Sequence, residues 1–589
     1  MRVPIYFSVM GDPVFAWYHA PADGMGTDLA VVLCPPLGAE YAITHRTMRH
    51  LADRYAAAGI AALRIDYHGT GDSAGYDEDP QRFAAWLESV KQAVAQLRDI
   101  SGCHRIGLAG LRMGATFAAL VASEIPVELL ILWGVCTSGR HYLREMKLLE
   151  QSFEASLREP ITAPNAIEAA GYVLTEETCQ AVRAIDLKTI APHAQRILLM
   201  GRDDLPEDAG LAEAWRARGL AVEQREMTGY AAMMARPHTA VVPQATLDAL
   251  VAWSRESAGQ ARELNRSAAF TQHAVLASGS APAGTAIRES LLRFGEDERL
   301  FGVWSEPSAG IDPSRPAVVL INSGAVHHIG VNRIYVLLAR ALAQAGFGCL
   351  RMDTAGMGDS VADDPADENQ AYGRTVAADI HAALRILQAR TGARAFVIGG
   401  LCSGAHGVFH AGLELSDEPI AECLMINPLT FYWQPGMSLD EDAVAKDIQR
   451  LKKYRRSLLQ WEKWRKVLRG DVNFGTFFAT VGKTLRSRLF RRSASETPAA
   501  SRRNLAGDLA RLAANGRRLT FVLADRDPGH DLLMLGAKKQ VAALRANGSM
   551  RIYSIENANH TFVIRRARQA FIRTVVEHAL LQYRNPAGE

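Results

Sequence analysis

A duplication restricts this chain more than any other feature. Leu63-Arg-Ile-Asp66-Tyr-His-Gly69-Thr-Gly71-Asp72-Ser73 returns as Leu350-Arg-Met-Asp353-Thr-Ala-Gly356-Met-Gly358-Asp359-Ser360. Val31-Val-Leu-Cys-Pro-Pro-Leu-Gly38 likewise returns as Val318-Val-Leu-Ile-Asn-Ser-Gly-Ala325, and both matches stand 287 positions apart. One constant offset over separate stretches marks a copied unit, and 589 residues are too many for one ordinary core. Each copy alternates apolar strand runs with amphipathic helical runs. That pattern predicts an α/β fold, two mostly parallel sheets covered by helices on both faces. The expected division is residues 1–256, a linker rich in Ala, Ser, Gly and Gln over 257–282, and residues 283–589. Strand pairs are expected to open each copy, at Phe7 to Ala20 and at Phe294 to Trp304. Arg46 and Arg333 are expected to open matching helices.

A second pattern carries chemistry. Gly400-Leu401-Cys402-Ser403-Gly404 lies between the strand run Arg394 to Ile398 and the helical run Ala405 to Leu413. This is G-x-S-x-G with Cys in the central place. Such a turn holds its central residue in strained backbone geometry above the sheet, and its flanking glycines let strand and helix pass closely. Cys402 is therefore the candidate nucleophile. Ser403 is the rival, one residue beyond the apex. At the same place in the first copy stands Gly110-Leu111-Arg112-Met113-Gly114, and a permanently charged guanidinium cannot serve as a nucleophile.

Composition excludes several classes. Basic and acidic residues are balanced, 66 against 63, so no global charge points to nucleic acid. The seven cysteines form no C-x-x-C pair, which suits a reducing compartment. Residues 1–12 are broken by Pro and polar residues too early for a signal peptide, and no apolar run is long enough to span a bilayer. The expectation is a cytoplasmic protein. No metal cluster and no cofactor site is read: His327 and His328 are adjacent without neighbouring Cys or carboxylate partners in sequence. The G-x-G-D-S turns also lack the context of a dinucleotide site.

Taken together, the two D-x-x-G-x-G-D-S stretches and the Cys402 turn resemble the α/β-hydrolase fold, as do the late acid and His positions of the second copy. The likeness covers most of both halves. It is similar to the serine-aminopeptidase-like and dienelactone-hydrolase-like branches, with the hydrolases of bacterial exosortase or exopolysaccharide clusters as a further likeness. The resemblance implies the order nucleophile, acid, His. Asp527, at the exit of the strand run from Leu519, matches the acid position better than Asp525, and His560 matches the His. The backbone N–H groups of Ser403 and Ala325 would form the oxyanion hole. In the first copy the corresponding positions are Arg112, Asp204 and Ala232, and Pro35-Pro36 remove N–H donors from the oxyanion loop. An Arg112–Asp204 ion pair is expected there, with a grip on an anionic ligand as the alternative.

An insertion over about 428–503 has the place of a lid. Phe431, Tyr432 and Trp433 are candidates to line an acyl or ring pocket. The basic and aromatic stretches further on suit either a solvated cap or contact with a membrane surface or an anionic substrate. The function expected is a Cys-dependent esterase, thioesterase or acyltransferase working through the second copy. The competing class is a non-catalytic tandem module serving as scaffold or ligand sensor in a biosynthetic complex.

Overall fold

A computed structural model describes residues 1–154, 165–205, 210–265, 269–276, 286–434, 436–437, 504–525 and 527–584. Most of the expected 428–503 insertion, with its basic stretches, lies outside the described residues.

Each half is built on its own sheet. The first sheet has eight strands in the order Arg2–Val9, Asp12–His19, Ala61–Ile65, Leu29–Cys34, Arg105–Leu111, Val127–Trp133, Ala194–Met200, Val222–Arg225. The second has nine, in the order His273–Leu276, Ile287–Phe294, Leu300–Pro307, Cys349–Asp353, Ala317–Ile321, Phe396–Leu401, Ile420–Ile426, Arg518–Ala524, Met550–Ile555. The first begins with an antiparallel hairpin and the second with three antiparallel strands; the strands that follow, from Ala61–Ile65 and from Cys349–Asp353, run parallel to one another. The reason is visible in the strands themselves. Along Leu29–Cys34, residues Ala30, Val32 and Cys34 face one apolar core while Leu29, Val31 and Leu33 face another. Val319 and Ile321 part from Val318 and Leu320 in the same way. Strands buried on both faces read as continuous apolar runs.

Two expectations are adjusted. The presumed linker forms strands in two places: Arg262–Glu263 pairs with Met25–Gly26 in a small sheet of its own, and His273–Leu276 is the edge strand of the second sheet. The first-half helix starts at Ala39, so Arg46 lies inside it, whereas Arg333 does stand at the start of the helix Ile334–Gln344.

The repeated D-x-x-G-x-G-D-S stretch makes the same knot twice. The carboxylate of Asp66 accepts the Asp72 N–H at 2.9 Å, and that of Asp353 accepts the Asp359 N–H at 2.9 Å. Gly71 and Gly358 have φ of +49° and +52°, and a Cβ on either would strike the Asp66 or Asp353 carboxylate. Ser73 and Ser360 close each knot, donating to the carbonyl of Asp66 or Asp353 and accepting an N–H from the hairpin, Phe15 or Phe301.

What each knot presents is its last aspartate, and both cross to the other half. Asp72 pairs with Arg351 and, at 2.6 Å, with His328. Asp359 pairs with Arg64 and, at 3.1 Å, with His45. Arg64 and Arg351 occupy the same position in the repeat, so the contact is reciprocal about a pseudo-twofold axis. Glu289 supports the pair on one side, accepting from Arg351 at 2.8 Å and from Arg340 at 2.9 Å. Arg333 donates to the carbonyls of Gly69, Gly71, Ser73 and Gly75, gathering the whole first-half turn. Next to this polar seam the two hairpins share an apolar cluster, with Trp17 edge-on to Phe301 at 4.7 Å.

Breaking one of these buried pairs leaves an uncompensated charge, so Arg64→Met is expected to lower stability by about 3–5 kcal/mol in thermal unfolding. His328 offers a second check. Burial disfavours its charge, but Asp72 and Asp353 outweigh that and lift its pKa from 6.5 to about 10. A group raised on folding contributes fully below its unfolded pKa and loses that contribution as pH rises through the folded one. The stability difference between wild type and His328→Asn should therefore be constant below pH 6.5 and shrink toward pH 10.

Candidate active site

The second half places Cys402 at the apex of a sharp turn between strand Phe396–Leu401 and helix Ser403–Glu414, with φ 59° and ψ −115°. Glycine is required on either side. A Cβ on Gly400 would lie 2.5 Å from the Gly404 carbonyl carbon, and one on Gly404 would lie 2.6 Å from the Asn322 oxygen. The turn is pinned by the Cys402 N–H donating to Ile426 at 2.9 Å and by the Leu401 N–H donating to the Tyr335 hydroxyl at 2.7 Å. Such a backbone, costing of order 1–3 kcal/mol, persists because its surroundings over-determine it. The other six cysteines are buried, while Cys402 is partly open.

Asp527 follows strand Arg518–Ala524, and His560 follows strand Met550–Ile555, neighbours in the sheet. The tertiary structure joins them: His560 Nδ1 lies 2.5 Å from Asp527 Oδ2. The other oxygen of Asp527 accepts the Gly529 N–H at 2.7 Å, which fixes the carboxylate's orientation. Asp525 instead accepts the Ala558 N–H at 3.4 Å, steadying the His560 loop from behind. Nε2 of His560 is buried. Burial opposes charge on this imidazole, yet the Cys402 sulfur and the Asp527 carboxylate together hold its pKa well above 6.5.

The expected oxyanion donors are Ser403 and Ala325. Ser403 opens its helix, where an N–H has no intrahelical partner. The Gly324 N–H is taken by the Ser403 hydroxyl at 2.9 Å, and the Ala325 N–H makes no hydrogen bond among the described residues.

Three residues beside Cys402 were not legible beforehand. Asn427, at the end of strand Ile420–Ile426, donates to the His560 carbonyl at 2.6 Å and accepts the Ala524 N–H at 2.8 Å, tying two loops together. Its signal was weak: one polar residue ending an apolar run. Tyr372 stacks on Trp433 at 4.2 Å and meets His406 edge-on; burial first, then Cys402, raises its pKa. His406, one turn after Cys402, is pushed down to about 3 by burial and by His410, so it is neutral and accepts the Trp433 N–H at 3.3 Å.

The aromatic triplet must be divided. Phe431 is 4% exposed and packs edge-on against Phe409 in the core, so it does not line an open pocket. Tyr432 hydrogen-bonds Asp508, and Trp433 stacks on Tyr372.

In the first half, Arg112 repeats the strained turn, φ 55° and ψ −121°. The expected Arg112–Asp204 pair is not formed. Arg112 donates to Glu40 at 2.9 Å and to Glu145, whereas Asp204 pairs with its near neighbour Arg202 at 2.7 Å. Asp203, rather than Asp204, ties this strand end to the next loop, accepting the Gly229 and Ala231 N–H groups as Asp525 accepts that of Ala558. Ala232 is exposed on the short helix Tyr230–Met233. A cavity of about 260 Å³ lies over Arg112, bounded by Ser138, His141, Glu145 and Arg202. The view of His327 and His328 as lacking carboxylate partners is also corrected, since Asp353 and Asp72 reach His328 from two directions. Among the described residues no group of three or more His, Cys, Asp or Glu is arranged to hold a metal ion, and no helix is long and apolar enough to cross a membrane.

The comparisons agree with this architecture. Residues 30–184 match the family described as serine aminopeptidase, S33, and residues 318–574 match the alpha/beta hydrolase family. The chain therefore carries two α/β-hydrolase domains in tandem. Solved structures similar to it include Est1E from Butyrivibrio proteoclasticus with ferulic acid bound, at 17% identity and a TM-score of 0.34, covering 43% of this chain and 98% of that one. Proline iminopeptidase of Mycobacterium smegmatis is 11% identical with a TM-score of 0.32, covering 43% of this chain and 98% of its own. An esterase of Pyrococcus furiosus is 17% identical with a TM-score of 0.32, covering 44% and 92%. No curated protein sequence matches the chain.

Since the Cys402 sulfur is one of the groups raising the His560 pKa, Cys402→Ala should lower it. Titration of the His560 ring proton by NMR should show the midpoint move acidward, and an unmoved midpoint would mean that the two side chains do not interact.

Proposed function

We propose that the second half is a Cys-dependent acyl hydrolase or acyltransferase and that the first half is a pseudo-hydrolase. One observation carries this reading: a cysteine on a strained turn, beside an imidazole whose far nitrogen is locked on a buried carboxylate. The Cys402 thiol passes its proton to His560 Nε2, and the sulfur attacks the carbonyl carbon of an ester or thioester. Asp527 holds the imidazole in the tautomer that accepts at Nε2. The negative charge then formed on the carbonyl oxygen is met by the Ser403 and Ala325 N–H groups. Collapse expels the alcohol or thiol with the proton from His560 and leaves a thioester on Cys402. Water, an alcohol or an amine, deprotonated by His560, attacks that thioester and frees the enzyme. Trp433 and Tyr372 supply a flat apolar wall suited to an acyl chain or ring. The basic 428–503 insertion is the surface we propose for an anionic carrier or a membrane face.

Support for the pseudo-hydrolase reading comes from Arg112, whose charge is neutralised by Glu40 and Glu145 at the position of a nucleophile.

The test is an intact-mass measurement with activated esters and thioesters on wild type and Cys402→Ala. Wild type should gain one acyl mass and lose it faster when amines or alcohols are added; the variant should gain none. Neither an adduct nor preferential alkylation of Cys402 by iodoacetamide would favour a non-catalytic tandem module instead.

A further inference from the structure

The oxyanion-loop segment Asn322–His328 is anchored at both ends. At its start, buried Asn322 donates to the Val326 carbonyl at 3.0 Å and to Asp353 at 2.8 Å, and accepts the Thr354 N–H at 2.6 Å. At its end, the His328 N–H donates to Asp353 at 2.7 Å and the ring Nδ1 lies 2.8 Å from the same carboxylate. The opposite ring nitrogen lies 2.6 Å from Asp72, which belongs to the first half. All three side chains are essentially sealed from solvent, at 1% exposure or less. With a carboxylate on each nitrogen, the ring is an imidazolium that donates twice. One end of the loop bearing the Ala325 N–H is thus clamped between a carboxylate of its own half and a carboxylate of the other.

The first half also reaches the loop that carries His560. Its hairpin, Ile167–Ala169 with Tyr172–Leu174, presents Glu168 to the N–H of Arg565 at the start of helix Arg565–Gln582. Arg568 bridges the carbonyls of Gly171 and Asn332, at 2.5 and 3.0 Å. Asn332 in turn donates to the carbonyls of Thr561 and Phe562, just after His560. Gly171 is so close that a Cβ there would stand 2.8 Å from the Val563 oxygen.

We infer that the first half completes the second half's site, and that Asp72 is a positioning residue for the oxyanion loop, acting through His328. The inference deepens the acyl-transfer reading and rests on it for its kinetic consequence. Its structural consequence stands separately. Asp72 acts on no substrate; it fixes where the Ala325 N–H points. Loss of its charge leaves the His328 ring with one carboxylate and frees the loop to move. A displacement of about 1 Å at an oxyanion donor is enough for a loss on the order of 10²-fold in rate.

The seam supplies an internal control. Arg49→Met breaks another pair across it, with Glu368, and neither residue hydrogen-bonds to the segment Asn322–His328. Three proteins are compared: Asp72→Asn, His328→Gln and Arg49→Met. In the first two, kcat for the best thioester should fall on the order of 10²-fold with KM little changed. Alkylation of Cys402 by iodoacetamide, which needs no oxyanion hole, should stay at the wild-type rate. Amide hydrogen exchange over residues 323–328 should accelerate at least tenfold in both. Arg49→Met should show wild-type kcat and wild-type exchange over 323–328, despite its lower melting temperature.

Wild-type turnover in Asp72→Asn and His328→Gln, or equal losses in Arg49→Met, would overturn the inference and reduce Asp72 to an interface residue. If the wild type itself turns over no ester, the acyl-transfer reading falls. The exchange measurement still decides whether Asp72 holds the loop, since unchanged exchange in both variants would refute it alone.

Discussion

The structure depends on a carboxylate that each half lends to the other. Asp72 and Asp359 are taken out of water and surrounded by guanidinium and imidazole groups from across the seam. A buried ion pair gains little over a well-packed apolar contact, because desolvation consumes most of the attraction. Its effect is orientational: an aspartate facing any wrong partner would be a bare buried charge. The seam therefore admits few relative placements of the two halves. The apolar cluster of Tyr6, Phe15, Trp17 and Phe301 adds burial without such directionality.

That constraint accounts for two halves that keep one frame while differing at the apex of the turn. The turn at Arg112 has almost the backbone geometry of the turn at Cys402. Strand order, knot and turn are needed to hold the sheets and the seam, whatever side chain sits at the apex. In the first half the apex charge is absorbed by Glu40 and Glu145. In the second, the same frame leaves a thiol beside a polarised imidazole. The first half contacts the segment Asn322–His328 and the segment that follows His560.

Much of this was legible in the amino-acid order. The constant offset of 287 revealed two units, and continuous apolar runs such as Val318 to Ile321 revealed strands covered on both faces. Gly400 and Gly404 marked a turn too tight for side chains, and the sequence order of Cys402, Asp527 and His560 anticipated the hydrogen bond between the last two. These features are local, or they follow from the order of elements along a parallel sheet.

The rest had to wait for tertiary contact. The first acid site is an example: Arg202 captured Asp204 because it lies two residues away, while Glu40 and Glu145 reached Arg112 from remote helices. Phe431 looked like a pocket residue by type, and only packing against Phe409 and Phe521 decided that it faces the core. The partner of His328 could not be found by scanning its neighbours, because Asp72 lies 256 positions away in the other copy. Sequence determined the two frames and the side chain at the apex of each turn, since backbone sterics and burial act residue by residue. Tertiary structure decided which charges meet, because the partner of a buried charge is set by where two folded surfaces close.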